Sequence, residues 1–426
     1  NGEVTRTDSF SYTMAGTKWV NVKWLYEVII AFIERGMGPH GVMFLQSLVN
    51  VAIVFLLLRV LQMFSKHLGQ QVSTLYSTIT VLVFLAISET RMAGRPEMIS
   101  HLLTVVYMLI LWQSNGFTWK RILWLIPLQC LWANMHEAYP VGMAIIAVYI
   151  AGGFISYLAN KDKEYLQSTT RLGAIWIGMA LAILINPNTI QLWTQPFEIF
   201  RQLHVNQYTT ELFSVKEAEY WTLQGKAHIV LLTGVCLFWI YRIVLNRKAK
   251  EPVTFSPVMM GYLLSILMLG YLSLTANRNI PFAQIALFPS IPVLILWVAQ
   301  KLNLQKKDLY TKVATKTVLI SAVVAGLFYV SIVNNSYYKF TKSRNKYGLH
   351  VNMFHNPTAA AEFIKTYNLK GPAFSDYFVS SYLLWDLYPD FKSYIDLRDL
   401  DIFPAKFFDN YMELNNKPQK FYELDS

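Results

Sequence analysis

The sequence contains few charged residues and almost no cysteine. Lysine, arginine, aspartate and glutamate make up only 15% of the 426 residues, whereas apolar residue types make up 54%. Soluble domains carry about 25% charged residues, so this chain is too apolar to have water as its only solvent. Its two cysteines, Cys130 and Cys236, lie in apolar stretches, where cysteine behaves as a small hydrophobic residue. No disulfide framework is therefore indicated.

The signature motifs of several enzyme classes are also missing. The sequence has no glycine-rich phosphate loop, no GxSxG nucleophile elbow and no HExxH zinc-protease motif. No second His or Cys stands at metal-ligand spacing from His136, so no metal site is predicted and the need for a divalent metal stays open. The chain begins at Asn1 with polar sequence typical of the middle of a protein, and we expect residues to precede it.

Ten apolar runs approach the length that crosses about 30 Å of hydrocarbon. Several are short, and prolines such as Pro127, Pro289 and Pro292 lie within them, which membrane helices tolerate better than soluble helices do. We predict an all-α polytopic membrane protein with about ten transmembrane helices. The runs are 42–63, 73–90, 98–113, 121–135, 139–158, 172–186, 227–246, 256–276, 279–300 and 314–333.

The basic residues predict the orientation of these helices. If all ten runs cross, successive connections alternate between the two sides. One set of connections, with the run ends beside it, carries 15 Lys and Arg, and the other carries 6. The positive-inside rule makes the first set cytoplasmic, which puts 1–41 and 334–426 outside the cell membrane. The net charge of +11 is thus explained by topology and lipid, and a nucleic-acid partner is disfavoured.

Three segments are expected outside the transmembrane domain of residues 42–333. Residues 1–41 form an outer loop whose stretch 19–36 has the spacing of an amphipathic interfacial helix, and 187–226 forms a large outer loop with a second such helix near its start. Residues 334–426 turn polar and predict a small α/β segment, which we expect to be incomplete at its end. Its predicted helices are 358–371 and 380–389, and its predicted strands are 373–378 and 392–398.

The stretch LWANMHEAYPVG, residues 131–142, inserts polar groups between two apolar runs. Asn134, His136 and Glu137 are either a polar turn at the headgroup level or a functional cluster. We favour function, because polar groups next to lipid are costly and seldom accidental. A histidine beside a carboxylate can bind a phosphate or hydroxyl and can exchange protons.

Other candidates lie in connections predicted to face the same outer side. RMAGRPE supplies Arg91, Arg95 and Glu97, and the short connection ANRN supplies Arg278. Each arginine alone is explained if its guanidinium extends to the membrane–water interface. Two arginines at one surface can instead hold a phosphate through their forked donors. Asp8 is a further acid, although an Asp before Ser is more often a turn or helix cap than a base.

Several of these stretches resemble one family in order and rough spacing. RTDSFSYTMAGTKWVNVKWLYEVI, RMAGRPEMISHLL, LWANMHEAYPVG, INPNT and YPDFKSYIDLRD resemble a family of bacterial polytopic membrane proteins. That family is similar to the GT-C superfamily of glycosyltransferases, which includes dolichyl-phosphate-mannose–protein mannosyltransferases and aminoarabinose transferases. The sequence departs from the family pattern at Glu137, where glycine is usual, and at Lys23, where an acid often stands.

The resemblance implies an enzyme of the bacterial inner membrane that moves a sugar from a polyprenyl-phosphate donor to an acceptor at the periplasmic face. Asp8, His136 and Glu137 would then be catalytic. The donor's lipid phosphate or sugar would be bound by Arg91, Arg95, Glu97, Asn134, Arg278, Asp396 and Arg398. The sequence does not identify the sugar or the acceptor.

Two other functions stay open. A transporter or flippase of a lipid-linked sugar would use the same arginines and aromatic residues but would need no base. Transporters usually show internal repeats and helices broken at mid-membrane, and we find no convincing repeat. A non-catalytic membrane protein that keeps the fold is the third possibility.

Overall fold

A computed structural model describes most of the chain, and the described part is mostly helical with one two-stranded sheet. The lysine-rich connection around 303–313 and the last nine residues lie outside it. The described residues are 4–112, 117–203, 210–248, 256–302, 314–343, 345–348, 356–398 and 401–417.

The elements follow one another in an order dominated by long helices. The α-helices are α1 (Trp24–His67), α2 (Thr74–Ser88), α3 (Glu97–Leu111), α4 (Trp119–Ile122), α5 (Leu125–Met135), α6 (Tyr139–Asn160), α7 (Lys163–Ala182), α8 (Gln191–Leu203), α9 (Leu223–Lys248), α10 (Pro257–Thr275), α11 (Ile280–Leu287), α12 (Ser290–Lys301), α13 (Ala314–Val333), α14 (Ser336–Thr341), α15 (Thr358–Thr366), α16 (Tyr377–Leu387) and α17 (Ala405–Asn416). The strands are β1 (Gly371–Ala373) and β2 (Phe391–Ser393). Short 3₁₀ turns occupy Glu89–Arg91, Thr210–Leu212, Ala218–Tyr220 and Asn277–Asn279.

The chain divides into two compact units. We call the first the mixed unit; it comprises Asn1–Trp24, Pro187–Tyr208 and Leu349–Ser426. We call the second the helical unit; it comprises Leu25–Asn186 and Thr209–Gly348.

This division differs from the boundaries expected from sequence. Residues 25–41, 209–226 and 334–348 belong to the helical unit. In the second of these segments, backbone hydrogen bonds tie the chain to the end of α10, from Val215 N to Leu274 O at 3.0 Å and from Asn277 N to Phe213 O at 2.9 Å. Composition alone could not show these contacts.

In the mixed unit, β1 and β2 form a parallel pair, and α16 connects the end of β1 to the start of β2. Gly371 lies opposite Phe391, and Ala373 lies opposite Ser393. The N-terminal segment continues this arrangement, because Ser11 forms a parallel bridge with Ser393. The α/β character expected for the C-terminal segment is therefore present on a very small scale.

Both strands are shorter than predicted and begin earlier: β1 ends at Ala373, where the first predicted strand begins, and β2 shares only 392–393 with the second. In the first, Asp376 ends the extended stretch by capping α16, accepting a hydrogen bond from Phe378 N at 2.9 Å. In the second, Asp396 turns the chain after β2 by accepting from Arg398 N at 2.9 Å. Aspartate favours such local side-chain bonds over strand pairing, which the apolar pattern around it did not reveal.

Five helices of the described chain are long and apolar enough to cross a bilayer, judged by length and composition. In the most exposed of them, α13, only 6% of the most apolar window is buried within the protein. An apolar helix that leaves its side chains uncovered needs lipid around it, so these helices indicate a membrane protein. The five segments are Trp24–His67, Tyr139–Asn160, Leu223–Leu245, Pro257–Thr275 and Lys316–Val333.

The other predicted crossings do not meet that criterion singly. The helices α2 and α3 have 15 residues each and α5 has 11, so at about 1.5 Å per residue they fall short of about 30 Å of hydrocarbon. The run 279–300 is broken into α11 and α12, which are bent by 62°. Counted as one span, this pair raises the number of candidate spans to six.

The expected interfacial helix over 19–36 begins at Trp24, and a break in helical geometry separates it from the helix of the first predicted crossing. Both belong to α1, which contains a kink at Gly38, where φ is 62°. A positive φ suits glycine because it has no Cβ, and Pro39 follows at once. The two separate elements expected from the sequence thus correspond to two helices that meet at this kink, close to the expected boundary at residue 41. The interfacial position of the first helix stays a prediction.

Candidate functional site

In the helical unit, charged residues from four separate connections meet at the ends of helices. Arg91 donates to Glu211 Oε2 at 2.8 Å and to Asn277 Oδ1 at 3.3 Å, and its Nη1 lies 3.9 Å from Glu97 Oε1. Arg95 also bonds to Glu211. We call these five residues, together with the pair Glu137–Arg278, the arginine–glutamate cluster.

Glu211 is a member that the sequence analysis did not single out. Burial raises the pKa of its carboxyl, but Arg91 and Arg95 act in the opposite sense and hold the pKa below its ordinary value. The carboxylate is therefore ionised and fixed between two guanidinium groups. No local motif marks Glu211, because its partners lie more than 100 positions away.

The three arginines differ in how far they are committed to protein partners. Arg91 has two hydrogen-bonded partners and its side chain is 11% exposed. Arg95 is 53% exposed, and Arg278 is 27% exposed with only a loose contact, at 3.8 Å, to Glu137 Oε1. Arg95 and Arg278 thus retain accessible donors, whereas Arg91 mainly holds the cluster together.

The predicted histidine is oriented by a short hydrogen-bond chain. Trp132 Nε1 donates to Ser100 Oγ at 2.7 Å, and Ser100 Oγ lies 2.7 Å from His136 Nδ1. An indole N–H can only donate, so Ser100 Oγ accepts from Trp132 and keeps its own hydrogen, which it can donate to Nδ1. Ala138 N also donates to Nδ1, at 3.4 Å. Because a backbone N–H can only donate, Nδ1 is the acceptor, and the ring hydrogen of His136 is assigned to Nε2.

A second histidine lies close by and was missed from sequence. His101 is only 3% exposed, and its Nε2 has no hydrogen-bond partner. It lies near enough to His136 and Arg91 to interact with them electrostatically, and its ring packs edge-on against Phe282. The available signal was its spacing of four residues from Glu97 on α3, which puts both on one helix face.

Asn134 is held by the backbone next to the INPNT stretch. Its Nδ2 donates to Cys130 O and to Ile185 O, both at 2.8 Å, and its Oδ1 accepts from Asn186 Nδ2 at 3.0 Å. These bonds connect the end of α5 to the turn after α7. A role for Asn134 in contacting substrate stays a prediction.

In the mixed unit, the remaining candidates bind one another. Arg398 donates to Asp396 through Nε at 2.8 Å and Nη2 at 2.6 Å, and to Asp8 Oδ1 through Nη1 at 2.6 Å. Its guanidinium also lies 5.0 Å from the ring centre of Phe10 and 5.1 Å from that of Trp19. Such a fork between two carboxylates and two aromatic faces is typical of a structural arginine.

The environment of Asp8 differs from that of a general base. Burial raises the pKa of its carboxyl, but hydrogen bonds from Arg398, Ser11 and the Phe10 backbone outweigh burial and lower the pKa below its ordinary value of 3.8. A carboxylate stabilised in this way has little tendency to accept a proton at neutral pH.

The predicted site residues thus form two groups, each within one unit. The described residues contain no group of three or more His, Cys, Asp or Glu side chains placed to hold a metal. No protein-family model matches the chain, and no curated protein matches it significantly.

Proposed function

We propose that the protein is a GT-C-type glycosyltransferase that moves a sugar from a polyprenyl-phosphate donor to an acceptor hydroxyl at the outer face of the bacterial inner membrane. The arginine–glutamate cluster is the observation that carries this proposal. It assembles cations with accessible donors beside an oriented histidine at the ends of apolar helices, which is where the phosphate of a membrane-embedded lipid would be found.

The three arginines differ in exposure, and we assign them different roles on that basis. Arg278 and Arg95 bind the lipid phosphate and stabilise the charge that develops on it as the sugar departs. Arg91 keeps its partners and positions the others. His136 donates from Nε2 to an oxygen of the donor, since Nδ1 is already occupied by Ser100.

The contacts among connections support ten crossings with the predicted alternation. Connections expected on the outer side contact one another in pairs: Arg91 with Asn277, Glu137 with Arg278, and Glu89 with Asn345. On the other side, Phe117 N bonds to Ser168 Oγ at 2.6 Å, which joins two segments expected to be cytoplasmic. In this proposal, the short helices α3 and α5 also cross the bilayer, and α4 or neighbouring helices span the part of its thickness that they do not.

The test is release of lipid phosphate by the purified protein. We expect turnover with undecaprenyl phosphate carrying labelled glucose, mannose or a pentose in phospholipid vesicles. Arg278→Ala should reduce release by roughly 10²-fold or more, because a donor that stabilises developing charge is lost. Lys216→Ala removes an exposed cation outside the cluster and serves as the matched control. Unchanged turnover of Arg278→Ala would remove its assigned role.

The bent pair α11–α12 gives a specific reason to keep transport as a second candidate, because broken helices line the binding sites of many transporters. However, the polar groups at this break bind one another: Ser290 Oγ accepts from Trp239 Nε1 at 2.9 Å and lies 2.7 Å from the Tyr262 hydroxyl. Movement of labelled lipid-linked sugar across the vesicle bilayer without release of lipid phosphate would favour the transporter.

A further inference from the structure

The carboxylates near the two candidate groups differ in whether an oxygen is available to a ligand. Asp8 and Asp396 share Arg398, and Glu211 is held by Arg91 and Arg95. A base must have an oxygen that can accept a substrate proton. In each of these three carboxylates, both oxygens already accept from protein donors.

Glu97 is different. Its Oε1 is buried and has no hydrogen-bond partner, because the nearest guanidinium nitrogen, Arg91 Nη1, is 3.9 Å away. Among the described carboxylates, Glu89 also has such an oxygen, but its other oxygen bonds to Asn345, and Glu89 interacts electrostatically with Tyr337 and Tyr338. Glu97 instead interacts with the cations of the cluster, including Arg95 and Arg278.

A second unpartnered atom lies one helical turn further along α3. His101 Nε2 is buried without a hydrogen-bond partner, and side chains four residues apart on a helix have Cβ atoms roughly 5–6 Å from each other. A buried polar group without a partner has lost its hydrogen bonds to water without compensation, which is unfavourable. Two of them on the same helix face, next to paired arginines, call for a bound group that supplies both a donor and an acceptor. A hydroxyl does this.

We propose that Glu97 is the general base of the transfer reaction and that His101 positions the acceptor hydroxyl. This inference rests on the proposed glycosyltransferase function. The hydroxyl oxygen accepts from His101 Nε2 and its hydrogen is directed at Glu97 Oε1. As the acceptor oxygen forms its bond to the anomeric carbon, the proton moves to Glu97. The bond from that carbon to the phosphate oxygen breaks, and its electron pair leaves with the lipid phosphate near Arg278 and Arg95.

The experiment uses water as the acceptor, so that no unidentified substrate is needed. Hydrolysis of labelled undecaprenyl-phosphate sugar is followed as release of undecaprenyl phosphate from vesicles. Glu97→Gln keeps the size of the side chain but cannot accept the proton, and we expect kcat to fall by roughly 10²–10⁴-fold. Binding of undecaprenyl phosphate, measured separately by native mass spectrometry, should stay close to that of the unchanged protein.

Two further measurements distinguish a base from a structural residue. The rise of kcat with pH that reports ionisation of the base should disappear in Glu97→Gln, and added formate should partly restore turnover of Glu97→Ala. His101→Ala should mainly raise KM for a hydroxyl acceptor such as glycerol. Glu219→Gln, an exposed carboxylate of the helical unit, is the matched control and should change none of these values.

The outcomes separate the two proposals. If the unchanged protein releases no lipid phosphate from any of the donors, the glycosyltransferase function is wrong and the role of Glu97 is wrong with it. If it turns over and Glu97→Gln does so at a similar rate with the same pH profile, only the assignment of the base is wrong. If Asp8→Asn loses turnover while Glu97→Gln stays active, Asp8 and not Glu97 is the general base.

Discussion

Arg398 Nη1 lies 2.6 Å from Asp8 Oδ1, although 390 positions of sequence separate the two residues. The same guanidinium holds Asp396 with two more hydrogen bonds. One side chain therefore joins the N-terminal segment to the C-terminal segment of the mixed unit. Two stretches that resemble separate family motifs are, in this protein, parts of one ion-paired core.

The first prediction concerns this arginine. Arg398→Ala should destabilise the mixed unit by about 3–5 kcal/mol, because breaking a buried ion pair leaves uncompensated charge. Urea unfolding followed by the fluorescence of Trp19, whose ring lies beside the guanidinium, would measure the loss. Lys392→Ala is the control, since Lys392 is an exposed cation of β2. Equal stability of both variants would contradict a structural role for Arg398.

The second prediction concerns acid. The folded protein holds the pKa of Asp8 below its ordinary value of 3.8, so on acidification the unfolded chain takes up this proton first. The stabilisation is complete above the ordinary pKa and is lost as the pH falls through the lower folded value. Asp8→Asn should be less stable at neutral pH and should lose less further stability below about pH 4. Parallel pH profiles for the two proteins would show that Asp8 does not contribute.

A third prediction tests helix packing in the helical unit. A Cβ on Gly152 of α6 would lie 2.5 Å from Gly261 N of α10, and backbone cannot move aside as a side chain can. Gly152→Ala should therefore cost about 1–3 kcal/mol. Gly173→Ala in α7 is the control, because its Cβ would meet nothing within 4 Å and alanine favours helix by about 1 kcal/mol. In detergent, the thermal unfolding midpoint of Gly152→Ala should lie below that of the unchanged protein, and that of Gly173→Ala should lie above it.

The fourth prediction tests the orientation of His136. In the unchanged protein, ¹⁵N spectra of histidine should show Nδ1 without its hydrogen, because Nδ1 accepts from Ser100. Ser100→Ala removes that donor and should produce a mixture of tautomers. Ser47→Ala is the comparison, since Ser47 is exposed and bonds only within its own helix, to Met43 O at 2.9 Å. An unchanged His136 signal in Ser100→Ala would mean that another group sets the tautomer.

The fifth prediction tests the alternation of connections. In a background of Cys130→Ala and Cys236→Ala, Glu219→Cys should react with a membrane-impermeant maleimide on intact cells. Lys120→Cys should react only after the cells are opened. Both positions are exposed to solvent or headgroups in the helical unit, so accessibility alone does not distinguish them. Labelling of both on intact cells would overturn the predicted topology.

Apolar run lengths were enough to predict a mostly helical membrane protein, because the cost of exposing backbone to lipid restricts spanning segments to helices and closed barrels. They were not enough to set the length of each helix. The run 279–300 is bent, and the helix before the first run meets it at a kink at Gly38. Run length records hydrophobicity, whereas a bend depends on local backbone geometry and on neighbouring helices.

Residue chemistry in the sequence itself indicated Arg91, Arg95, His136 and Arg278, because charged and polar groups near lipid are expensive. Only the tertiary structure decided which of these arginines have accessible donors and added Glu211 to the site. It also showed that Glu97 Oε1 and His101 Nε2 are buried without a hydrogen-bond partner. The physical reason is that the partners of a charged side chain come from distant parts of the chain. The sequence determines whether each segment requires water or lipid around it. Which polar groups find a partner within the protein, and which are left without one, is decided only when the segments pack together.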